Sequence, residues 1–432
     1  VSPELVGAIG LVILIALLFA RMWIGAAMAL VGFIGYVWIM GAGPAFSVVS
    51  MIPFTTMSTY MMTTVPLYIF MGIVLFQSGV GADLYETAYQ WVGQLRGGLA
   101  SATVLACAAF AAITGVSSPA LVTMGKVALP AMRKYNYSDN LALGSIACAG
   151  GLAFLIPPSV VLIIYGVLTQ TSISKLYMAG FIPGILLAGL FILVIVLITF
   201  RNPKAGPAGP KTSFKEKVVS LRLTWPTVLL FLLVLGGIYM GIFTPTEGGA
   251  VGAFGALVIV FSMGRFDFKK LRDSVLEATQ TTAMVMLLII GAYILMKFLA
   301  VSQLTTLMGE TVAELDVPTG VIFIGIVLLY IILGMFLDII SAVILTIPVI
   351  FPIVTALGFD PIWYGIVVVI LVEMGLVTPP VGMDAFLLAG AIDIPVTKVF
   401  KSVLPFLAAE LVCIALLYFF KDIALWLPGT MD

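Results

Sequence analysis

Apolar stretches long enough to cross a ~30 Å hydrocarbon layer recur along almost the whole chain, among them Leu5–Ala20, Met22–Met40, Leu176–Phe200, Trp225–Phe243 and Val403–Phe420. Roughly a dozen spans or half-spans follow by that rule. A water-soluble fold is excluded, because hydrophobic residues make up 62% of the 432 and charged ones only 9%, far from the composition of soluble domains. The fold class is all-α and polytopic, with the lipid bilayer as its solvent.

Charge and chemistry narrow the function. Net charge is zero and there is no His, so there is no electrostatic footprint for nucleic acid and no imidazole to serve as ligand or base. Cys107, Cys148 and Cys413 lie scattered in apolar runs without paired spacing, as small buried residues do. No Ser, Cys or Lys has a plausible base beside it, which argues against a membrane-embedded hydrolase or any other enzyme. The first apolar run lacks a basic leader and is followed by the next span after Arg21 alone, so it reads as a membrane helix.

The long polar connection from Arg201 to Arg222 holds six Lys/Arg and one acid, Glu216, which places it in the cytoplasm. Two spans later Arg265, Lys269, Lys270 and Arg272 fall on the same side, as two crossings require. Propagated both ways, this puts sixteen of the 20 basic residues inside and both chain ends outside, provided that Gly97–Met132 and Pro318–Ala356 each turn back without crossing.

Four prolines recur 222 residues downstream: Pro130 and Pro352, Pro157 and Pro379, Pro158 and Pro380, Pro183 and Pro405. On the orientation above, one hairpin comes in from the cytoplasm and the other from outside, so the halves form an inverted repeat. Such repeats characterise secondary transporters, because a pseudo-two-fold axis lets two similar structures exchange roles. A channel seldom needs two inverted re-entrant hairpins with broken partner helices.

Each half carries a polar interruption in its hairpin (Thr114–Pro119; Phe336–Ser341) and a double proline in the following span (Gly150–Ser159; Glu373–Gly382). Proline removes an amide donor and collides with the carbonyl one turn back, so the helix breaks and leaves carbonyls unpaired. In lipid those groups must line a site. Unwound carbonyls suit a small hard cation such as Na⁺, and half-helix N-termini with hydroxyls suit a carboxylate. One cation site is expected to join Ser117 and Ser118 with Gly151, Phe154 and Pro157, and the other to join Asp338 and Ser341 with Gly375 and Thr378. Ser117, Ser118, Ser159, Thr378 and Asp384 are the candidates for the substrate. Asp338, Glu373 and Asp384 are acids at membrane depth, hence candidates for ion or proton coupling. The stripe Met284–Met286 reads as lipid-facing or core packing.

Several motifs in order carry a family resemblance: Met124–Pro130, Leu155–Ser159 with Tyr165-Gly166, Ala179–Gly184, Gly241–Glu247 and Thr378–Gly382. In these the chain resembles, over nearly its whole length, the large membrane subunit of tripartite ATP-independent periplasmic (TRAP) transporters. The resemblance implies sodium-driven uptake of an organic acid, such as sialic acid or a C4-dicarboxylate, across a bacterial inner membrane, where the outside ends assigned above from the basic residues are periplasmic. It implies two partners, a soluble periplasmic binding protein and a small membrane subunit of about four helices. It implies an elevator motion in which 97–171 and 318–393, each a hairpin plus a broken helix, move against scaffold helices in 1–96, 172–317 and a C-terminal helix in 394–432. Two pseudo-symmetric sites imply at least two Na⁺. The Thr246-Glu247 pair also reads as a helix N-cap with an acid on the first turn. The alternative within transport is a self-sufficient ion-coupled carboxylate symporter or antiporter that needs no binding protein.

Overall fold

The computed structural model describes residues 2–314 and 317–431, and among these it is helical without strands. The first half runs through α1 (Pro3–Phe19), α2 (Ile24–Met40), α3 (Ala42–Ser58), a 3-10 turn at Tyr60–Thr63, α4 (Thr64–Gln77), α5 (Val80–Val92), α6 (Gly98–Thr114), α7 (Ser117–Lys134), α8 (Asp139–Leu155), α9 (Val160–Thr169) and α10 (Ile173–Arg201). The second half comprises α11 (Phe214–Tyr239), α12 (Pro245–Ser262), α13 (Phe268–Ser302), α14 (Leu304–Glu314), α15 (Thr319–Phe336), α16 (Ile339–Ala356), α17 (Pro361–Val377), α18 (Met383–Ala391), α19 (Val396–Phe419) and α20 (Asp422–Leu425). Among the described residues eight helices are long and apolar enough to cross a bilayer, and the α8–α9 pair, bent by 42° at its break, makes a ninth span. Shorter apolar helices, α1, α2, α6 and α17, supplement them.

The helix boundaries follow local chemistry. Ser138, Ser159 and Asp360 cap α8, α9 and α17 by accepting hydrogen bonds from the first-turn amides. Ser213 and Glu216 form a capping box that starts α11 at Phe214, inside the segment read from sequence as one basic loop over 201–222. The connection between α10 and α11 is therefore only 202–213, and it includes a 3-10 turn at Pro203–Ala205. A second capping box uses Thr244 and Glu247, so Thr244 rather than Thr246 caps α12, and the buried Thr246 hydroxyl instead meets that of Thr64 at 2.6 Å.

The 222-residue displacement seen in the prolines governs the whole chain. α8 and α17 start and end 222 residues apart, as do the first residues of α7 and α16; α2 and α5 match α12 and α14 to within a residue or two, and α10 and α19 start within one residue of the same displacement. The continuous α13 corresponds to α3 and α4 together, which Thr59 and the 3-10 turn divide. The prolines at both breaks sit in matching cis bonds, Pro157–Pro158 and Pro379–Pro380. Packing obeys a two-fold relation: α4 lies on its counterpart α13, α8 on α17 and α10 on α19, while α7 packs on α18 as α16 does on α9. An axis between the halves places these elements against their own counterparts.

The broken helices occupy the centre. Leu141–Leu155 of α8 and Trp363–Val377 of α17 are buried without interruption, whereas the outer helices turn Phe19, Trp38, Phe200, Phe254 and Phe261 outward, as lipid-facing surfaces do. One end of the molecule gathers basic residues. There the 202–213 connection is stitched down by Gly97 N–H to Gly206 O (2.8 Å), Ser138 N–H to Ala205 O (2.9 Å) and Gly209 N–H to Gly93 O (2.9 Å). Arg133 and Lys398 both approach Asp139, and Arg265 pairs with Asp83.

Candidate functional site

The first hairpin turns at Gly115 and Val116. Gly115 has φ +64°, and a methyl group on it would lie 2.6 Å from the Pro158 carbonyl oxygen and 3.3 Å from the Val160 nitrogen. Glycine is required there twice over, by backbone conformation and by space. The hairpin tip thus rests directly on the α8–α9 break. In the second half the approach is made lower in the hairpin. Gly334 of α15 and Gly375 of α17 meet backbone to backbone, a methyl on Gly375 lying 2.6 Å from the Gly334 Cα, and Gly382 N–H donates to the Met335 carbonyl (3.0 Å).

Both hairpin tips and parts of both broken helices open on one cavity of about 800 Å³. Its walls include Ser117, Ser118, Phe154, Asp338 and Asp384, drawn from α7, α8, the turn before α16 and α18. Ser117 is buried while Ser118 is exposed to the cavity. Asp384, on the first turn of α18 and itself buried, has Ser117 and Asp338 as polar neighbours. One carboxylate thereby links the first tip, the second tip and the second broken helix.

The other sequence candidates lie behind this surface. Asp338 caps α16 by accepting from the Ser341 amide (3.1 Å), so Asp338 and Ser341 come together as one turn, with the Ser341 side chain buried. Thr378 ends α17, its hydroxyl donating to the Met374 carbonyl (2.6 Å) and its N–H to Gly375 O (3.0 Å). Ser159 is fully buried and caps α9 through Leu162 N–H (3.4 Å). Gly151 and Pro157 stand at the end of α8 and in its break, buried and outside the cavity lining.

Gly151 keeps space open between the two broken helices, since a side chain there would strike the carboxylate of Glu373 on α17. Glu373 is buried, as is Glu410 on α19 close by, and none of their four oxygens has a hydrogen-bond partner among the described residues. Glu410 escaped the sequence reading because it was absorbed into the apolar run Val403–Phe420, although a lone acid at membrane depth is itself a signal. The cavity also uses Glu277, Thr281 and Met284 of α13. Met284 thus lines the cavity, although its stripe was read as packing. Glu277 accepts from the Gln77 side-chain amide (3.2 Å), and the next residue, Ser78, offers its carbonyl to Arg265, so this mouth of the cavity lies at the basic end.

Comparisons with known proteins bear on the family and the fold. The model of the family described as "Tripartite ATP-independent periplasmic transporter, DctM component" matches residues 11–423. A C4-dicarboxylate TRAP transporter large permease protein from Pseudomonas aeruginosa is 34% identical over 379 residues, covering 88% of each chain. A sialic acid TRAP transporter permease protein from Haemophilus influenzae is 30% identical over 385 residues, covering 87% of this chain and 61% of that longer one. Among solved structures, the Alcanivorax borkumensis YdaH transporter superposes with a TM-score of 0.61 at 16% identity, covering 90% of both chains, a likeness of fold.

Proposed function

Since this chain belongs to the DctM-component family of tripartite ATP-independent periplasmic transporters, a membrane component of a transporter and not an enzyme, we propose that it performs sodium-coupled uptake of a small organic acid by an elevator motion. The observation that carries the reading is the single cavity walled by both hairpin tips and both broken helices, with Ser117, Ser118, Asp338 and Asp384 around it. Hydroxyls, acids and half-helix ends meet there, the groups needed to hold Na⁺ beside a carboxylate in a site that lipid cannot satisfy.

Asymmetry within the repeat supports alternating access. α6 packs on α4 and α5, whereas its counterpart α15 leaves the corresponding α13 and α14 to α16. Exchanging these partners between the halves gives a second arrangement of similar energy, with the cavity opening at the other end. The basic end is cytoplasmic by the excess of Lys and Arg there, so the state described faces inward and both termini are periplasmic in a bacterial inner membrane. The relatives named for C4-dicarboxylates and sialic acid support a carboxylate as substrate. The family description supports a periplasmic binding protein and a small membrane subunit as partners.

The test is uptake into proteoliposomes holding this chain and its small partner, with and without an inward sodium gradient and the binding protein, across a panel of organic acids. Uptake requiring both is the expected outcome. Sodium-driven uptake without the binding protein would instead establish a self-sufficient symporter, and uptake indifferent to sodium would overturn the coupling.

A further inference from the structure

A second cavity, of about 610 Å³, lies at the opposite end from the basic cluster, between the end of α3, the α9–α10 connection and α13. Its walls carry Thr55, Thr59, Gln170, Ser172, Tyr293 and Lys297. The repeat relates it to the first cavity. Displaced by 222 residues, Thr55 and Thr59 fall on Glu277 and Thr281, which line the first cavity, while Lys297 falls on Leu75. The two cavities thus share repeat-related positions on the α3 and α13 walls but differ in electrical character. Among the described residues, the first is lined by three carboxylates, Glu277, Asp338 and Asp384, and by no Lys or Arg; the second is lined by Lys297 and by no acid.

Lys297 is exposed, and it forms no ion pair with a described carboxylate. Tyr293, one turn earlier on α13, is fixed by donating to the Val167 carbonyl (3.1 Å), which ties this wall to the end of α9. An ammonium in a concave, low-dielectric mouth concentrates anions, and neighbouring hydroxyls supply hydrogen bonds that a carboxylate accepts.

We propose that this second cavity is a receiving site for a carboxylate anion, with the Lys297 ammonium as its charge and the hydroxyls of Thr171 and Ser172 as its donors, those of Thr55 and Thr59 being engaged by the Met51 and Thr55 carbonyls. The proposal deepens the uptake reading and rests on its sidedness: the anion is received at the lysine-bearing mouth and released from the acid-lined one. The unequal charge of the two cavities gives the carrier a preferred loading side for anions.

The test uses the full chain in lipid nanodiscs with a reporter cysteine at Thr59→Cys, the native cysteines being buried. Labelling rates are compared for an anionic (sulfonatoethyl) and a cationic (trimethylammonioethyl) methanethiosulfonate. The anion-to-cation rate ratio at position 59 is expected to fall about tenfold on Lys297→Gln and to return in Lys297→Arg. A reporter at Thr281→Cys, in the acid-lined cavity, should prefer the cationic reagent whatever stands at 297. Succinate, as the probe carboxylate, should slow labelling at position 59 only when 297 is basic. A ratio unmoved by Lys297→Gln, or labelling that succinate does not slow, would overturn the proposal. Labelling needs neither sodium nor net uptake, so failure here and failure of the uptake reading are separable.

Discussion

At the level of single residues, the hairpin tips bring few polar side chains to the proposed ion site. Ser117 is buried and Ser118 faces the cavity, so Ser118→Ala removes an oxygen without opening a packing defect. It should raise the sodium concentration for half-maximal uptake about fivefold, the equivalent of one hydrogen-bond-sized contribution, with expression unchanged; an unaltered sodium dependence would remove Ser118 from the site. Residues of this kind were legible beforehand because Gly, Ser and Pro in an apolar run betray a break wherever they fall. Glu277 and Thr281 were not, since their part in the cavity exists only once α13 lies against hairpins far away in sequence. Thr378 and Ser159 were legible as polar residues at the breaks, but their hydroxyls also serve the helix ends, and sequence does not separate a cap from a ligand.

Among helices, the controlling contact is the meeting of α8 and α17, each the other's repeat counterpart. Gly151 leaves room for the Glu373 carboxylate, and the interior around it is closed. Gly151→Ala should therefore force α8 from α17 and lower the thermal unfolding temperature of the purified protein, at a cost of about 1–3 kcal/mol for overpacking. Full stability in that variant would mean that Glu373 swings aside freely. Helix boundaries in the repeated segments were readable because prolines punctuate both copies. The wider extent of the repeat was not, for a physical reason: Pro44, Pro53 and Pro66 fall on Phe266, Val275 and Leu288 in the second half. An unbroken span asks only for apolar residues, so α2 and α12 keep their lengths while sharing no punctuation.

For the molecule as a whole, motion of the hairpin-bearing parts requires that contacts such as α5 on α7 be broken and remade. A methyl on Gly81 of α5 would lie 3.1 Å from the Thr123 methyl of α7, so a disulfide between cysteines at those positions would tie the two. Oxidising a Gly81→Cys/Thr123→Cys double variant should abolish uptake, with recovery on adding a reductant; undiminished uptake when fully cross-linked would mean that α5 and α7 travel together. One feature of the architecture reaches beyond transport. The halves are joined by the single connection 202–213, yet they are also held to each other by three counterpart pairs of helices. That connection is a strap rather than a hinge, and the covalent link across it should be dispensable to assembly. Two polypeptides, divided at the exposed Lys211 and made together in one cell, should find each other in the membrane and co-purify as an active pair. Each polypeptide then carries one copy of the repeated unit, and the intact chain is a dimer that a single gene has made permanent.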